Sequence, residues 1–117
     1  MELKNILGDK LFNNPKPVSL IRRVLQLATD KDSIILDSFA GSGTTEHAVL
    51  DLNKEDGGNR KFILVEMENK IANDITAERV KRVINGYSYN GKKVAGLGGG
   101  FQFMNLGTTL FDAEGFI

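Results

Sequence analysis

Cysteine is missing from the chain, which removes disulfides, thiolate metal sites and cysteine nucleophiles together. A single histidine, His47, leaves too few imidazoles for a histidine-rich metal centre, so no metal is expected. Neither sign of charge is in excess: 15 Lys and Arg stand against 15 Asp and Glu, for a net charge of zero. A protein that grips DNA unaided carries a basic footprint, because much of its affinity comes from phosphate contacts. A neutral chain is not expected to hold DNA strongly by itself. No apolar run approaches the ~20 residues that span a bilayer. The opening MELKNILGDK lacks the apolar core of a signal peptide, so the expectation is a cytoplasmic protein without a membrane role. Proline occurs only at Pro15 and Pro17.

What is there suits one small soluble domain. The 117 residues can bury a core without crosslinks, and 41% hydrophobic with 26% charged residues is ordinary for a globular protein. No internal repeat is visible. The chain divides into a lead-in (1–13), a central region (14–86) and a glycine-rich tail (87–117). Asn14-Pro15-Lys16-Pro17 reads as a stiff turn, since each proline fixes its own φ and restricts the residue before it. Pro17 also suits the first turn of a helix. Behind it Val18, Ile21, Val24, Leu25 and Ala28 recur at helical spacing, and the polar run 29–32 ends the pattern.

Residues 33–37 form a β-branched apolar run expected to be a buried strand. A glycine turn and a helix over 44–52 follow, the latter with Ala48, Val49 and Leu52 facing inward. Residues 56–59 are a turn, and 61–66 a second buried strand ending in an acid. Residues 69–86 are mostly helical, with Ile71, Ile75, Val80, Val83 and Ile84 apolar; Thr76 is expected to cap a second segment and Gly86 to stop it. Phe101-Gln102-Phe103-Met104 is expected to be a last strand, with Gly98-Gly99-Gly100 a turn before it. Helices alternating with strands predict an α/β fold, with a mainly parallel sheet and crossover helices.

The most informative stretch runs from Ile34 to Thr45: a strand ends in Asp37, a turn Phe39-Ala40-Gly41-Ser42-Gly43 follows, and a helix begins at Thr44. Open α/β sheets bind ligands at the carboxyl ends of their strands. Glycines there let the backbone approach a ligand, and the helix start offers unpaired N–H groups. A phosphate-binding loop needs GxxxxGK, and no lysine follows these glycines. A dinucleotide fingerprint needs GxGxxG, and Glu46 stands at the third glycine's place, where it would repel a pyrophosphate. S-adenosylmethionine is the third ligand class. Asp37 suits its amino group and positive charge. Glu66, about twenty residues beyond the glycines, sits where α/β nucleotide sites place an acid on ribose hydroxyls. Met67 is a soft apolar neighbour for an adenine.

With those residues on the page, the chain from Asn14 to about Asp112 resembles the C-terminal part of the modification subunit of type III restriction systems, among the β-class amino-methyltransferases. The matching pieces are Phe12-Asn13-Asn14-Pro15-Lys16-Pro17, Leu36-Asp37-Ser38-Phe39-Ala40-Gly41-Ser42-Gly43-Thr44-Thr45, Phe62-Ile63-Leu64-Val65-Glu66 and Ile75-Thr76-Ala77-Glu78-Arg79-Val80. Gly98-Gly99-Gly100-Phe101 and Leu106-Gly107 extend the likeness into the tail. Ser38 departs from the family's usual aromatic or proline, with little effect expected.

The resemblance implies a partial Rossmann-like methyltransferase sheet binding S-adenosylmethionine. Asn14, Lys16 and Pro17 would lie at the methionine end. Asp37, Phe39, Ala40, Gly41, Ser42, Gly43 and Thr44 would form the main cofactor turn, with Glu66 as the ribose acid beside Met67. The implied activity is N6-adenine methylation of double-stranded DNA by a full-length parent, alongside a restriction subunit.

One family feature is absent. These enzymes use a catalytic tetrapeptide of Asp, Asn or Ser, then Pro-Pro, then an aromatic residue. Its polar groups orient the base amine and its ring stacks on the flipped base. Lys16 separates the only two prolines, so no catalytic residue is assigned and the chain alone is expected to be inactive. The alternatives are a non-catalytic binding or assembly module, one piece of a split methyltransferase, an N4-cytosine enzyme, or a nucleotide-binding domain unrelated to methylation. Missing strands would leave an exposed sheet edge open to self-association. His47 is expected to be an ordinary helix residue. Arg79, Lys81 and Arg82, with Lys92 and Lys93, are expected to form a solvated face.

Overall fold

The computed structural model describes Ile6 and residues 17–108. The expectations for Asn14, Lys16 and the rest of the proline turn before Pro17 lie outside the described residues, as do those for the lead-in apart from Ile6 and for residues 109–117.

Pro17, extended at φ −66° and ψ 141°, opens α1 (Val18–Ala28). Val18 and Leu25 are buried and Ile21 is half-buried, but Val24 and Ala28 are exposed. The expected apolar face is thus narrower in the fold. α1 packs on one partner helix, α2 (Thr44–Asp56), and the core there is Val18, Leu25, Ala48, Val49 and Leu52. From α1's other flank Arg22 pairs with Asp51, at 2.7 Å, and with Glu55.

β1 (Ile34–Asp37) and β2 (Lys61–Leu64) pair in parallel, from Ile34 against Lys61 to Asp37 against Leu64. Helix α2 makes the crossover between them, as alternating strands and helices require. Neither strand is buried on both faces as expected. Ile35 and Phe62 pack on the α1/α2 core, whereas Ile34 (65%), Leu36 (63%) and Ile63 (53%) are exposed. Side chains alternate across a strand, so helices on one side alone leave the other side bare among the described residues.

α2 runs to Asp56, four residues past its expected end, and closes where Gly57 turns left-handed (φ 70°) and its N–H reaches the Asn53 carbonyl at 2.9 Å. Arg60, buried beside it, donates to Thr29 Oγ1 (3.0 Å) and to Asp56 Oδ1 (3.2 Å), so the ends of α1 and α2 share one cation. The third helical stretch consists of α3 (Asn69–Ile71), a π-turn (Ala72–Thr76) and α4 (Ala77–Asn85). Thr76 does not cap a new helix, because the helical backbone is continuous through it and frees no N–H for it to satisfy.

The final strand also falls elsewhere. Residues 101–104 carry no regular structure. Instead β3 (Gly86–Tyr89) and β4 (Lys92–Ala95) form an antiparallel hairpin. Its two-residue loop is Asn90-Gly91, both at positive φ (49° and 74°), the turn whose twist matches paired strands. Tyr87 and Leu97 cover a second core of Ile6 and Val83, together with Leu50 and Ile75. Among the described residues no helix is long and apolar enough to cross a membrane.

Candidate functional site

The carboxyl ends of the two parallel strands carry the acids. Asp37 ends β1, and its Oδ1 accepts the N–H of Phe39 at 3.0 Å while Oδ2 accepts the Thr45 hydroxyl at 2.6 Å. Glu66 follows β2: Oε1 accepts the N–H of Gly41 at 3.0 Å and Oε2 the N–H of Glu68 at 2.9 Å. The backbone joins the strand ends as well, with Val65 N–H on the Asp37 carbonyl and Ala40 N–H on the Val65 carbonyl, both at 2.9 Å. The glycine turn is thus laced to the segment after β2 by one carboxylate bond and one backbone bond, and the end of β1 by a second backbone bond.

Gly43 sits in the left-handed region (φ 82°) at the start of α2. The left-handed backbone favours glycine, and a Cβ there would also meet Glu46 Oε2 at 2.8 Å. Ala40, Ser42, Gly43 and Thr44 are buried, Gly41 is half-buried, and Phe39 (85%) and Met67 (87%) stand exposed at the rim. Asp37, Gly41 and Glu66 are therefore brought together. Pro17 stands exposed ahead of α1.

The solvated basic face is corrected at its most telling residue. Arg79 is 1% exposed. Its guanidinium donates to Thr44 Oγ1 (3.0 Å), Ser42 Oγ (3.3 Å) and the Ser42 carbonyl (3.4 Å), and to His47 Nδ1 (3.1 Å). Ser42 and Thr44 also bond each other through their hydroxyls at 3.1 Å. Their side chains thus face Arg79, which also holds the Ser42 carbonyl. One turn earlier in the helix, the Thr76 hydroxyl donates to the Gly41 carbonyl. Lys81, Lys92 and Lys93 are exposed as expected, and Arg82 pairs with Glu78 at 2.8 Å.

His47 is tied to Arg79, beyond its expected part as an ordinary helix residue. Burial, helped by the Arg79 charge and opposed by Asp51, lowers its pKa to about 4, so a neutral ring accepts the guanidinium hydrogen. Glu46 is fully buried, and among the described residues neither carboxyl oxygen has a hydrogen-bond partner. Burial outweighs the Arg79 charge and the nearby backbone amides, and its carboxyl is pushed up to about 8. It is therefore a neutral acid at pH 7.

Sequence reasoning gave Arg79, Thr76 and Glu46 no part in the site. A signal was present: Thr76, Arg79 and Val83 recur at i, i+3 and i+7, on one side of a helix whose Val80 and Val83 were already assigned inward. Arginine at such a place is a buried donor looking for acceptors.

The two carboxylates can each take more than they now hold. A carboxylate offers about four acceptor positions, and two bonds are filled on each. The rim of Phe39 and Met67 adds exposed apolar surface. Such a place suits a ligand with amine or hydroxyl donors and a flat apolar part.

Known proteins share this sequence. Residues 2–78 match the family model N6_N4_Mtase, described as DNA methylase. The StyLTI Mod subunit of a type III restriction-modification enzyme from Salmonella typhimurium is 47% identical over 78 residues, covering 67% of this chain and 12% of that protein. The EcoPI Mod subunit of Escherichia phage P1 is 46% identical over 95 residues, with 70% of this chain and 15% of that protein covered. The type II methyltransferase M.KpnI of Klebsiella pneumoniae is 46% identical over 70 residues, 60% of this chain and 17% of that protein. The chain therefore spans a small fraction of the length of these relatives.

Proposed function

The chain belongs to the DNA methylase family and is related to type III Mod subunits, and on that premise we propose that it forms the S-adenosylmethionine-binding part of a site-specific DNA N6-adenine methyltransferase. The observation that carries this reading is the pair of acids, Asp37 and Glu66, at adjacent strand ends and bonded to one glycine turn. Residues 14–86 are the cofactor region, built as part of a Rossmann-like sheet, and 87–117 form the tail.

The site fits the cofactor by its donor set: two carboxylates with spare acceptor positions, a close backbone approach at Gly41, and an apolar rim. Asp37 would hold the amino group, Glu66 the ribose hydroxyls, and Met67 with Phe39 the adenine. Ala40, Ser42 and Thr44 would contribute backbone, and Asn14, Lys16 and Pro17 would steady the methionine end. S-adenosylmethionine supplies a methyl group activated on a sulfonium. The chain's own task is to fix the orientation of that donor, which can account for a large part of a transfer rate. Negative charge from Asp37 and Glu66 also favours the sulfonium.

Without a Pro-Pro pair the chain holds no catalytic tetrapeptide, so transfer belongs to a full-length parent that binds double-stranded DNA in the cytoplasm, in company with a restriction subunit. Methyl transfer by the purified chain alone would contradict this. Labelled methyl delivered to cytosine by the parent would replace the N6-adenine assignment with N4-cytosine.

A second reading, an assembly module or one piece of a split methyltransferase, is favoured by the bare sheet face of Ile34, Leu36 and Ile63. A separate polypeptide that carries the Pro-Pro motif and restores transfer when mixed with the chain would establish the split form. The ligand class itself is tested by titration with S-adenosylmethionine, NAD and ATP in parallel. Saturable binding of the first alone supports the cofactor reading, and binding of NAD or ATP alone overturns it.

A further inference from the structure

Several polar groups of the glycine turn are held by residues distant in sequence. The Gly41 N–H is taken by Glu66 and its carbonyl by Thr76. The Ser42 carbonyl and hydroxyl, and the Thr44 hydroxyl, are all taken by Arg79, 35 to 37 residues further along the chain. Thr76 and Arg79 are three residues apart in a helical stretch, so both project from one side of it toward the turn.

A buried arginine is a costly way to fill space. Taking a guanidinium out of water costs several kcal/mol, and apolar residues of similar size often stabilise a core better. Its use is explained by its geometry: two terminal nitrogens of a planar fork hold acceptors on two sides at once, which a lysine's single nitrogen cannot. Here one arm, Nη1, meets the Ser42 carbonyl and the hydroxyls of Ser42 and Thr44, while the other arm, Nη2, meets His47 Nδ1. Through the neutral ring of His47 it also reaches the next turn of that helix.

We propose that Arg79 is a positioning residue for S-adenosylmethionine binding, clamping the Ser42-Gly43-Thr44 junction from behind so that the backbone of the turn is set for the ligand before it arrives. The inference rests on the cofactor reading given above. Arg79 does not touch the ligand in this scheme. It acts through Ser42 and Thr44, as outer residues act on the ligands of a metal site.

The test compares the 117-residue chain with its Arg79→Lys variant, titrating S-adenosylmethionine by calorimetry well below both thermal midpoints, where each protein is fully folded. The expected result is binding weakened on the order of ten-fold or more in the variant. A residue that serves stability alone would lower the midpoint and leave that affinity unmoved, an outcome that overturns the inference and spares the cofactor reading. Absence of binding by the unaltered chain removes both. If Arg79→Lys fails to fold, Thr44→Val decides: it keeps the guanidinium and deletes its shortest contact to the turn, at 3.0 Å. A several-fold loss of affinity in that variant is then expected, and unchanged affinity overturns the clamp.

Discussion

The Glu66 carboxylate accepts the backbone N–H of Gly41 at 3.0 Å, joining two residues 25 apart in sequence at the mouth of one parallel strand pair. The acid just beyond β2 thereby fixes the turn after β1, and the turn presents the acid.

Glu66→Ala should loosen that joint. Two N–H groups, of Gly41 and Glu68, lose their acceptor, at a cost of about 1 kcal/mol for a partly exposed site that water can reach. The effect on S-adenosylmethionine should be larger, with affinity falling on the order of ten-fold or more as a charged acceptor is lost. Calorimetry beside a thermal melt separates the two. Affinity equal to that of the unaltered chain would contradict the role given to Glu66.

Stability should fall as pH rises from about 6.5 to about 8. Glu46 binds its proton in the fold up to about 8 but only to about 4.5 when unfolded, so its contribution is complete below 4.5 and is lost as pH climbs toward 8. His47 runs the other way: lowered to about 4 from 6.5, it loses stability as pH falls through that window. The two slopes oppose each other between about 4.5 and 6.5, and Glu46 acts alone from 6.5 to 8. There the unfolding free energy should drop by roughly 1.4 kcal/mol per pH unit at most. Denaturant melts across this range should show the decline, and Glu46→Gln should flatten it. An equal slope in the variant would assign the proton elsewhere.

Gly43→Ala should destabilise the turn. The residue is left-handed, and the added Cβ would press on the buried Glu46 carboxyl at 2.8 Å. A cost of about 1–3 kcal/mol is expected from denaturant melts. A loss below about 0.5 kcal/mol would mean that the junction relaxes freely.

The bare sheet face should drive self-association. Ile34, Leu36, Ile63 and Val65 are 65%, 63%, 53% and 45% exposed on and beside two strands that, among the described residues, pair only with each other. Sedimentation at rising concentration should show dimers or larger species, and Leu36→Lys with Ile63→Lys should restore the monomer. A strictly monomeric profile of the unaltered chain at high concentration would count against this face as an interaction surface.

The strand–turn–helix unit was legible because its signals are local: a β-branched run, two glycines where the backbone turns left-handed, and apolar residues at helical spacing. Asp37 and Glu66 stood out for the same reason, each closing an apolar run, although β2 itself stops at Leu64 and leaves Glu66 two residues beyond it. The hairpin was missed although Asn90-Gly91 announces it. Tyr89 and Lys92 flank that turn without the apolar alternation of a buried strand, whereas Phe101-Gln102-Phe103 has that alternation and, among the described residues, no partner strand. Arg79 was read as a surface cation because charge usually means solvent; only the tertiary fold supplies the hydroxyls and carbonyl that make its burial tolerable. The open sheet face lay beyond local pattern too, since an apolar run states what a strand could bury and not what arrives to cover it.

The central claim, that this turn binds S-adenosylmethionine through its strand-end acid, is tested most directly by calorimetric titration of the 117-residue chain beside Asp37→Ala. The account predicts saturable binding by the unaltered chain that the variant loses while remaining folded. Binding of equal strength by both, or by neither, would contradict it.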